Sequence, residues 1–428
     1  MRFHVTNFGC RSSQADGAAI KSLLSRNGME EVADHKSAEF VILNTCTVTA
    51  TADDELRQIV RRVNRENPEA QIVITGCYAQ RAPQELIDLP GVSMVVGNSH
   101  KTKIAELLVA PYHGEVHVGD IFEAGEFLAT PVEGAAGGRS RPNLKIQDGC
   151  PNRCSFCIIP YVRGNSRSAR VEHVVAQVRD LSAAGYPEVV LTGINLGRWG
   201  REAGLRMRLA DLIRILLNET DVQRLRLSSV EPMDWSDDLL HLMADSPRIA
   251  KHMHAPLQSG SDTVLRRMHR KYRPHHYVSR VRLARELMPD AGIGADVMTG
   301  FPGETDAEFE QTRALVEELP FTYLHIFPYS ERPGTPAAEA LDHVPWAKRK
   351  ERGRVLKQLA VAKNEAFRRR MVGRTLSVVT LGNGEAMASN YITVELTSPR
   401  PGRNIYEIVA GSTTASGLRE YCILPVLC

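Results

Sequence analysis

Residues 144–160 read LKIQDGCPNRCSFCIIP, and this stretch decides the fold. It opens as a short strand-like run through Leu144 and Ile146 that ends at Gly149. It then spaces Cys150, Cys154 and Cys157 as C-x3-C-x2-C. Three thiolates can hold three irons of a cubane [4Fe–4S] cluster and leave the fourth iron without a protein ligand. An open iron binds a small molecule directly, so such a loop suits chemistry rather than electron transfer alone. Structural zinc usually takes four protein ligands, often from C-x2-C pairs. Here no fourth cysteine or obvious histidine lies nearby.

Downstream, strand-like runs alternate with helix-patterned stretches: EVVLTGIN (188–195), RLRLSSVE (224–231), HMHAPLQ (252–258), IGADVMTGF (293–301) and YLHIFPYS (323–330). With LKIQD these make six βα-type units. They predict a full or partial (β/α) barrel over 143–365, with its site at the carboxyl ends of the strands. Upstream, residues 1–130 carry the buried-strand runs FHVTNF, EFVILNT, AQIVITG and VSMVVG, with helical patterns at Ala15–Arg26 and Asp53–Glu66. That alternation predicts a parallel α/β sheet. Cys10, Cys46 and Cys77 follow three of those runs in Gly/Thr/Asn-rich turns, where open α/β sheets place their sites. They form a second three-thiolate set. The stretch 131–142 (PVEGAAGGRSRP) reads as a linker. Residues 346–370 are basic and helix-periodic. From Thr375 the runs LSVVTLG, YITVEL, IYEIVA and CILPVL predict a small β-domain within 366–428.

The chain has 428 residues, is 43% apolar and 24% charged, and carries a net charge of only +3. It therefore has room for several cores, and no global polycation drives nucleic-acid binding. Only local patches remain for that role. The N-terminus lacks a signal-peptide pattern and no apolar run reaches membrane-span length, so no membrane role and a cytoplasmic location are expected. In a reducing cytosol, clustered cysteines are metal ligands or catalytic groups before they are disulfides.

A cluster at the mouth of a barrel, with one open iron, suits chelation of S-adenosylmethionine (SAM) and its reductive cleavage to a 5′-deoxyadenosyl radical. Phe156 would lie beside that cluster. Gly193, Asn195 and Gly197 in LTGINLG would let the amino and carboxylate ends of SAM approach backbone, or form an ordinary βα turn. Glu231 would take the ribose hydroxyls, or cap the turn at Pro232. Gln258 and Ser259 would cap the following helix or touch ligand, with capping the reading for the serines. Of Asp296 and Glu304, one would face the site and the other begin a helix. Arg163 and Arg167 would meet anionic groups of SAM or RNA, or stay solvated. Lys348–Lys357 with Arg368–Arg370 offer tRNA phosphate contacts, or a solvated helix face. Cys422 reads as a core residue and Cys428 as a terminal thiol.

The motifs GCRSSQAD, NTCTVT, TGCYAQ, VVGN, LKIQDGCPNRCSFCIIPYVRG, VLTGINLG, LSSVEP, PLQSGSDTVLRRMHRKY, DVMTGFPGET and LHIFPYSERPGTPA span nearly the whole chain. In these the chain resembles the radical-SAM methylthiotransferases. The resemblance implies an N-terminal methylthiotransferase domain, a partial radical-SAM barrel and a C-terminal RNA-binding β-domain of the TRAM type, in which Tyr391 holds a typical position. It implies two [4Fe–4S] clusters: a SAM-binding one on Cys150, Cys154 and Cys157, and an auxiliary one on Cys10, Cys46 and Cys77. The implied reaction puts a methylthio group on carbon 2 of N6-threonylcarbamoyladenosine at position 37 of tRNA. It needs a flavodoxin- or ferredoxin-like electron donor and a sulfur source. The motifs NTCTVT with Arg61 and Arg62, LKIQDGC and QSGSDTVLRRMHRKY favour that branch. The rival substrates are N6-isopentenyladenosine in tRNA and an aspartate of a ribosomal protein. A non-catalytic iron–sulfur scaffold is the reading from another class, and LTGINLG and VMTGFPGE argue against it.

Overall fold

The computed structural model describes residues 1–109, 115–125, 127–128, 140–202 and 207–422. Positions 131–139 of the expected linker lie outside them, as does Cys428.

The N-terminal sheet is all-parallel, with strands β1 (Arg2–Asn7), β2 (Glu30–Glu31), β3 (Phe40–Thr45), β4 (Gln71–Gly76), β5 (Val92–Gly97) and β6 (Glu115–His117) in the order β2-β1-β3-β4-β5-β6. β3 is buried along its whole length because helices cover both faces. Phe40 and Ile42 join the core with Ile20 and Leu24 of the Arg11–Arg26 helix. Val41 and Leu43 join the opposite core with Leu56 and Val60 of the Ala50–Glu66 helix. The two edge strands β2 and β6 are too short and polar to carry an apolar run, so the sequence pattern does not announce them.

Strands β7 (Asn143–Asp148), β8 (Arg167–Ser168), β9 (Glu188–Gly193), β10 (Arg224–Leu227), β11 (His252–His254), β12 (Gly292–Thr299) and β13 (Tyr323–Pro328) form the central arc. They assemble as β8-β7-β9-β10 and β11-β12-β13, joined by a parallel bridge between Leu225 and Ile249. All six expected βα strands are present and parallel; β8 is an added antiparallel edge on β7. The result is a partial (β/α) barrel. Its outer layer is one large core that includes the fully buried Trp199 and Trp235.

The Trp346–Met371 helix carries the chain across residues 365–366 into a closed five-stranded barrel. Its strands are β14 (Thr375–Thr380), β15 (Glu385–Ala388), β16 (Thr393–Glu395), β17 (Ile405–Thr413) and β18 (Leu418–Glu420). This small barrel sits at the amino ends of the arc's strands. Arg226, on β10, donates to the Ala388 and Ser389 carbonyls at 3.0 and 3.1 Å. The Lys251 amide donates to Ser389 Oγ at 2.9 Å. Cys422, expected in a core, is exposed, because it follows the last described strand onto the surface.

The N-terminal sheet joins the arc through buried charge. Asp16, on the Arg11–Arg26 helix, is fully buried against Lys101, Lys145 and Arg163. Arg163 also pairs with Asp148, at the end of β7, at 3.2 Å. Among the described residues no helix is long and apolar enough to cross a membrane.

Candidate active site

Cys10, Cys46 and Cys77 follow β1, β3 and β4. β3 lies between the other two, and the register aligns Asn7 with Asn44 and Thr45 with Gly76. With strands about 4.8 Å apart, the three loops emerge in a row at one edge of the sheet. Two glycines allow the close approach. Gly9 has φ +88°, and a Cβ there would lie 2.8 Å from Cys46 Sγ. Gly76 has φ +104°, and a Cβ there would lie 2.4 Å from the Thr45 carbonyl oxygen. Burial, and the nearby thiols of Cys77 and Cys10, push the Cys46 thiol up to about 12. Cys77 Sγ accepts from Arg163 Nε at 3.2 Å and from Asn98 Nδ2 at 3.7 Å.

The second set lies in the loop after β7. Gly149 has φ +75°, and a Cβ there would meet the Asn165 carbonyl oxygen at 1.9 Å, so the loop folds tightly on itself. The amide of Cys157 donates to the Cys154 carbonyl at 3.0 Å. The loop is pinned to the far side of the arc by Ser155, whose amide and hydroxyl donate to the Met268 and Arg267 carbonyls. Burial, with Cys154 and Cys150 alongside, pushes the Cys157 thiol up to about 12. Arg270 Nη1 donates to Cys154 Sγ at 3.3 Å, and Asn195 Nδ2 to Cys150 Sγ at 3.5 Å.

Each set offers three sulfur donors, the number that a cubane cluster with one open iron takes. Among the described residues, the trio of His, Cys, Asp or Glu ligand atoms lying within 4.8 Å of one another is His254, Asp296 and His325. Both cysteine trios are more open. A single zinc about 2.3 Å from each sulfur would draw the sulfurs to within about 4 Å. The two sets adjoin: Cys77 packs on Ile158 and Val162, just past Cys157.

A polar cavity of about 290 Å³ opens beside the first set, lined from all three parts of the chain, while Cys154 of the second set lines a separate small cleft with Glu231 and Arg270. Cys10, Arg11 and Ser12 come from the N-terminal sheet. Gly193, Ser228, Ser229, His252, His254, Asp296, Tyr323 and His325 come from the arc, and Tyr391 from the small β-barrel. Tyr391 has φ +70° and stacks on His252 with ring centroids 4.4 Å apart. Burial holds His325 and His252 below the usual imidazole range, with neighbouring cations adding to the effect at His252.

The remaining expected positions divide. Asn195 and Gln258 each leave a buried side-chain carbonyl oxygen without a partner, and Gln258 adopts φ +62°. Asp296 faces the cavity 3.4 Å from His254 Nε2. Glu231 is paired with Arg270, and burial still raises its carboxyl above the usual range. It makes no capping bond, so the helix-cap alternative fails. Gly193 lines the cavity and also packs on Gln147. Gly197 packs against Asp234, where a Cβ would lie 2.3 Å from that side chain's own Cβ. Phe156 is half-buried, edge-on to Phe301 at 6.4 Å.

Four expectations are corrected. Arg163 meets neither solvent nor an open ligand surface; it is buried in the ion cluster that joins sheet to arc. Arg167 donates to the Ala124 and Arg163 carbonyls, since β8 turns it inward. The serines near Gln258 make no capping bond to the Asp262–Arg267 helix; Ser259 bonds Thr312 instead. Glu304 does not begin a helix: Thr305 caps Asp306–Glu318, and Glu304 accepts from Arg352 at 2.5 Å and from the Gly300 amide. Two positioning residues escaped the sequence reading. Gln147 accepts from the Asn195 amide at 2.7 Å and donates to the Gly149 carbonyl at 2.7 Å, tying two loops of the site together. Arg270 bridges Cys154 and Glu231. Their only sequence signal is membership of the quoted motifs LKIQDGC and MHRKY.

Comparison with known proteins completes the assignment. Residues 2–97 match the family described as uncharacterized protein family UPF0004, and residues 144–316 match the radical SAM superfamily. A radical SAM methyltransferase, TsrM, from Kitasatospora setae, solved with tryptophan and a SAM analogue, has the same fold; its TM-score is 0.58 at 17% identity, over 79% of this chain and 75% of that one. The fold and site thus define a radical-SAM enzyme. The threonylcarbamoyladenosine tRNA methylthiotransferase MtaB of Aquifex aeolicus is 37% identical over 92% of this chain and 96% of its own length. The MtaB of Bacillus subtilis is 40% identical over 80% and 76%. A tRNA-2-methylthio-N(6)-dimethylallyladenosine synthase of Parafrankia sp. is 34% identical over 97% and 85%. The chain belongs to the radical-SAM methylthiotransferase family, whose cofactors are SAM and [4Fe–4S] clusters.

Proposed function

We infer that this protein adds a methylthio group to carbon 2 of N6-threonylcarbamoyladenosine at position 37 of tRNA. The observation that carries the reading is the two adjoining cysteine trios, one of which reaches the polar cavity through Cys10. Its substrate rests on relatives of that name matching nearly end to end. When bound, the clusters and SAM supply hydrogen abstraction and the methylated sulfur. The chain's own residues divide as follows. Cys150, Cys154 and Cys157 hold the SAM-binding cluster, with Phe156, Gly193, Asn195, Gly197, Glu231, Gln258 and Asp296 around the SAM. Cys10, Cys46 and Cys77 hold the auxiliary cluster. Arg163 and Arg270 each steady one sulfur with a charge-assisted hydrogen bond. The packed loops keep the two centres adjacent and keep water from an exposed radical.

The small β-barrel acts as a TRAM-like RNA-binding domain. Beside it, Lys350, Arg354 and Lys357 recur on one exposed face of the Trp346–Met371 helix and suit phosphate contacts. Arg349, Arg352 and Arg368 are buried and serve the fold instead. A flavodoxin- or ferredoxin-like reductant and a separate sulfur source complete the reaction, in the cytoplasm.

Dimethylallyladenosine is the alternative substrate, since synthases of that name are relatives too. Nucleoside mass spectrometry of tRNA from cells with and without the gene separates the readings. The expected result is loss of 2-methylthio-threonylcarbamoyladenosine with its unthiolated precursor accumulating. Loss of the dimethylallyl product instead would move the substrate to the other branch. No change in either would reject a tRNA substrate at this position.

A further inference from the structure

We propose that Arg11 reads the free carboxylate of the threonylcarbamoyl group and so makes the central cavity selective for that nucleoside. This inference rests on the substrate reading above and deepens it.

Arg11 is the cavity's one arginine. Its Nη2 donates to Tyr391 Oη at 2.8 Å, and its guanidinium carbon lies 5.6 Å from that ring's centroid. Among the described residues, no carboxylate lies within salt-bridge distance of it. Arg163, Arg226 and Arg270, also around the barrel mouth and floor, each have one. Arg11 therefore enters the cavity oriented, with donors to spare and its charge unmatched. The cavity lining also carries Asp296 and the buried His254, whose Nε2 has no hydrogen-bond partner. The cavity thus offers a fork-shaped cation together with an acceptor beside an imidazole.

A threonylcarbamoyl group has matching parts. Its carboxylate suits a guanidinium, which binds such groups through paired N–H donors. Its hydroxyl and urea N–H groups suit Asp296 and His254. A dimethylallyl group has none of these and would leave the charged walls unpaired. Sites built to hydrogen-bond a substrate reject analogues lacking the bonding group strongly. The placement also suits the reaction. Carbon 6, which bears N6, and carbon 2 both flank N1 of adenine. An anchor on the N6 substituent at Arg11 therefore brings the N1 edge, and carbon 2 with it, into the cavity that Cys10, the preceding residue, also lines.

The test is binding by the anaerobically reconstituted protein to one tRNA made in four forms: threonylcarbamoyladenosine, the same group with its carboxylate converted to an amide, isopentenyladenosine, or plain adenosine at position 37. Wild type is expected to bind the first about tenfold or more tighter than the other three, the size of one charged hydrogen bond. Arg11→Gln is expected to bring the ratio of acid to amide form to about one while leaving affinity for the plain-adenosine tRNA unchanged. Arg11→Lys is expected to keep part of it. If Arg11→Gln weakens all four forms equally, Arg11 holds a backbone phosphate or the fold, and the proposal is overturned. If wild type binds the acid and amide forms alike, it is also overturned, with no variant involved. If wild type prefers the isopentenyl form, the substrate reading fails, and the proposal with it.

Discussion

The two cysteine trios solve one problem in opposite ways. Cys150, Cys154 and Cys157 lie within eight residues of one loop, and local turns bring them together. Cys10, Cys46 and Cys77 are spread over 68 residues and meet only because β1, β3 and β4 are neighbours in a parallel sheet. Each trio has a buried arginine donating to one sulfur, but the settings differ. Arg163 is shared between Cys77 and the carboxylates of Asp16 and Asp148, in a cluster with Lys101 and Lys145. Arg270 serves Cys154 and the single carboxylate of Glu231. A site assembled from distant loops has its support built into the domain junction. A site on one loop needs only a local partner.

The largest expected effect separates the two trios outright. Cys154→Ala should reduce the iron content from about eight to about four per chain and abolish 5′-deoxyadenosine formation in a reduced SAM assay. Deoxyadenosine at the wild-type rate from this variant would break the assignment. Next, Arg163→Met leaves two buried carboxylates short of a partner and should cost about 3–5 kcal/mol, read as a lower urea midpoint. Arg270→Met should cost less, about 1–3 kcal/mol, because Glu231 is already raised toward its neutral form. Equal losses would erase the proposed difference between junction and local support.

Acid should act on the two regions with opposite sign. Lys145 and Arg163 overcome burial and hold Asp148 down to about 2. Its contribution is therefore full above the unfolded carboxylate range near pH 4 and is lost as pH falls through about 2. Glu231 is raised, so its contribution is full below that range and is lost as pH rises through its folded value. Acid titrations of stability for Asp148→Asn and Glu231→Gln should therefore depart from wild type in opposite directions. The smallest expected effect is at Tyr391→Phe, which removes one hydrogen bond from Arg11 and should cost about 1 kcal/mol in thermal unfolding.

Much of this was legible in the sequence, and the reason is physical. Apolar runs report strands covered on both faces, so β3 and β4 and all six parallel strands of the arc were readable. The C-x3-C-x2-C spacing carries its geometry in one loop. The Cys10, Cys46 and Cys77 trio was readable as three strand-end turns, though the strand adjacency that unites them is a tertiary fact. The roles of Arg163, Arg270 and Gln147 were not readable, because their partners lie 147, 39 and 48 positions away. An arginine far from its carboxylate looks like a solvated charge until the fold is known. The cavity's composition was hidden for the same reason: Arg11 and Tyr391 are 380 residues apart yet hydrogen-bonded.

The most direct test of the division between the trios is one reaction with Cys46→Ala, in which 5′-deoxyadenosine and methylthiolated tRNA are measured together. Deoxyadenosine is expected still to form while no methylthio product appears. Methylthiolated tRNA from that variant would contradict it.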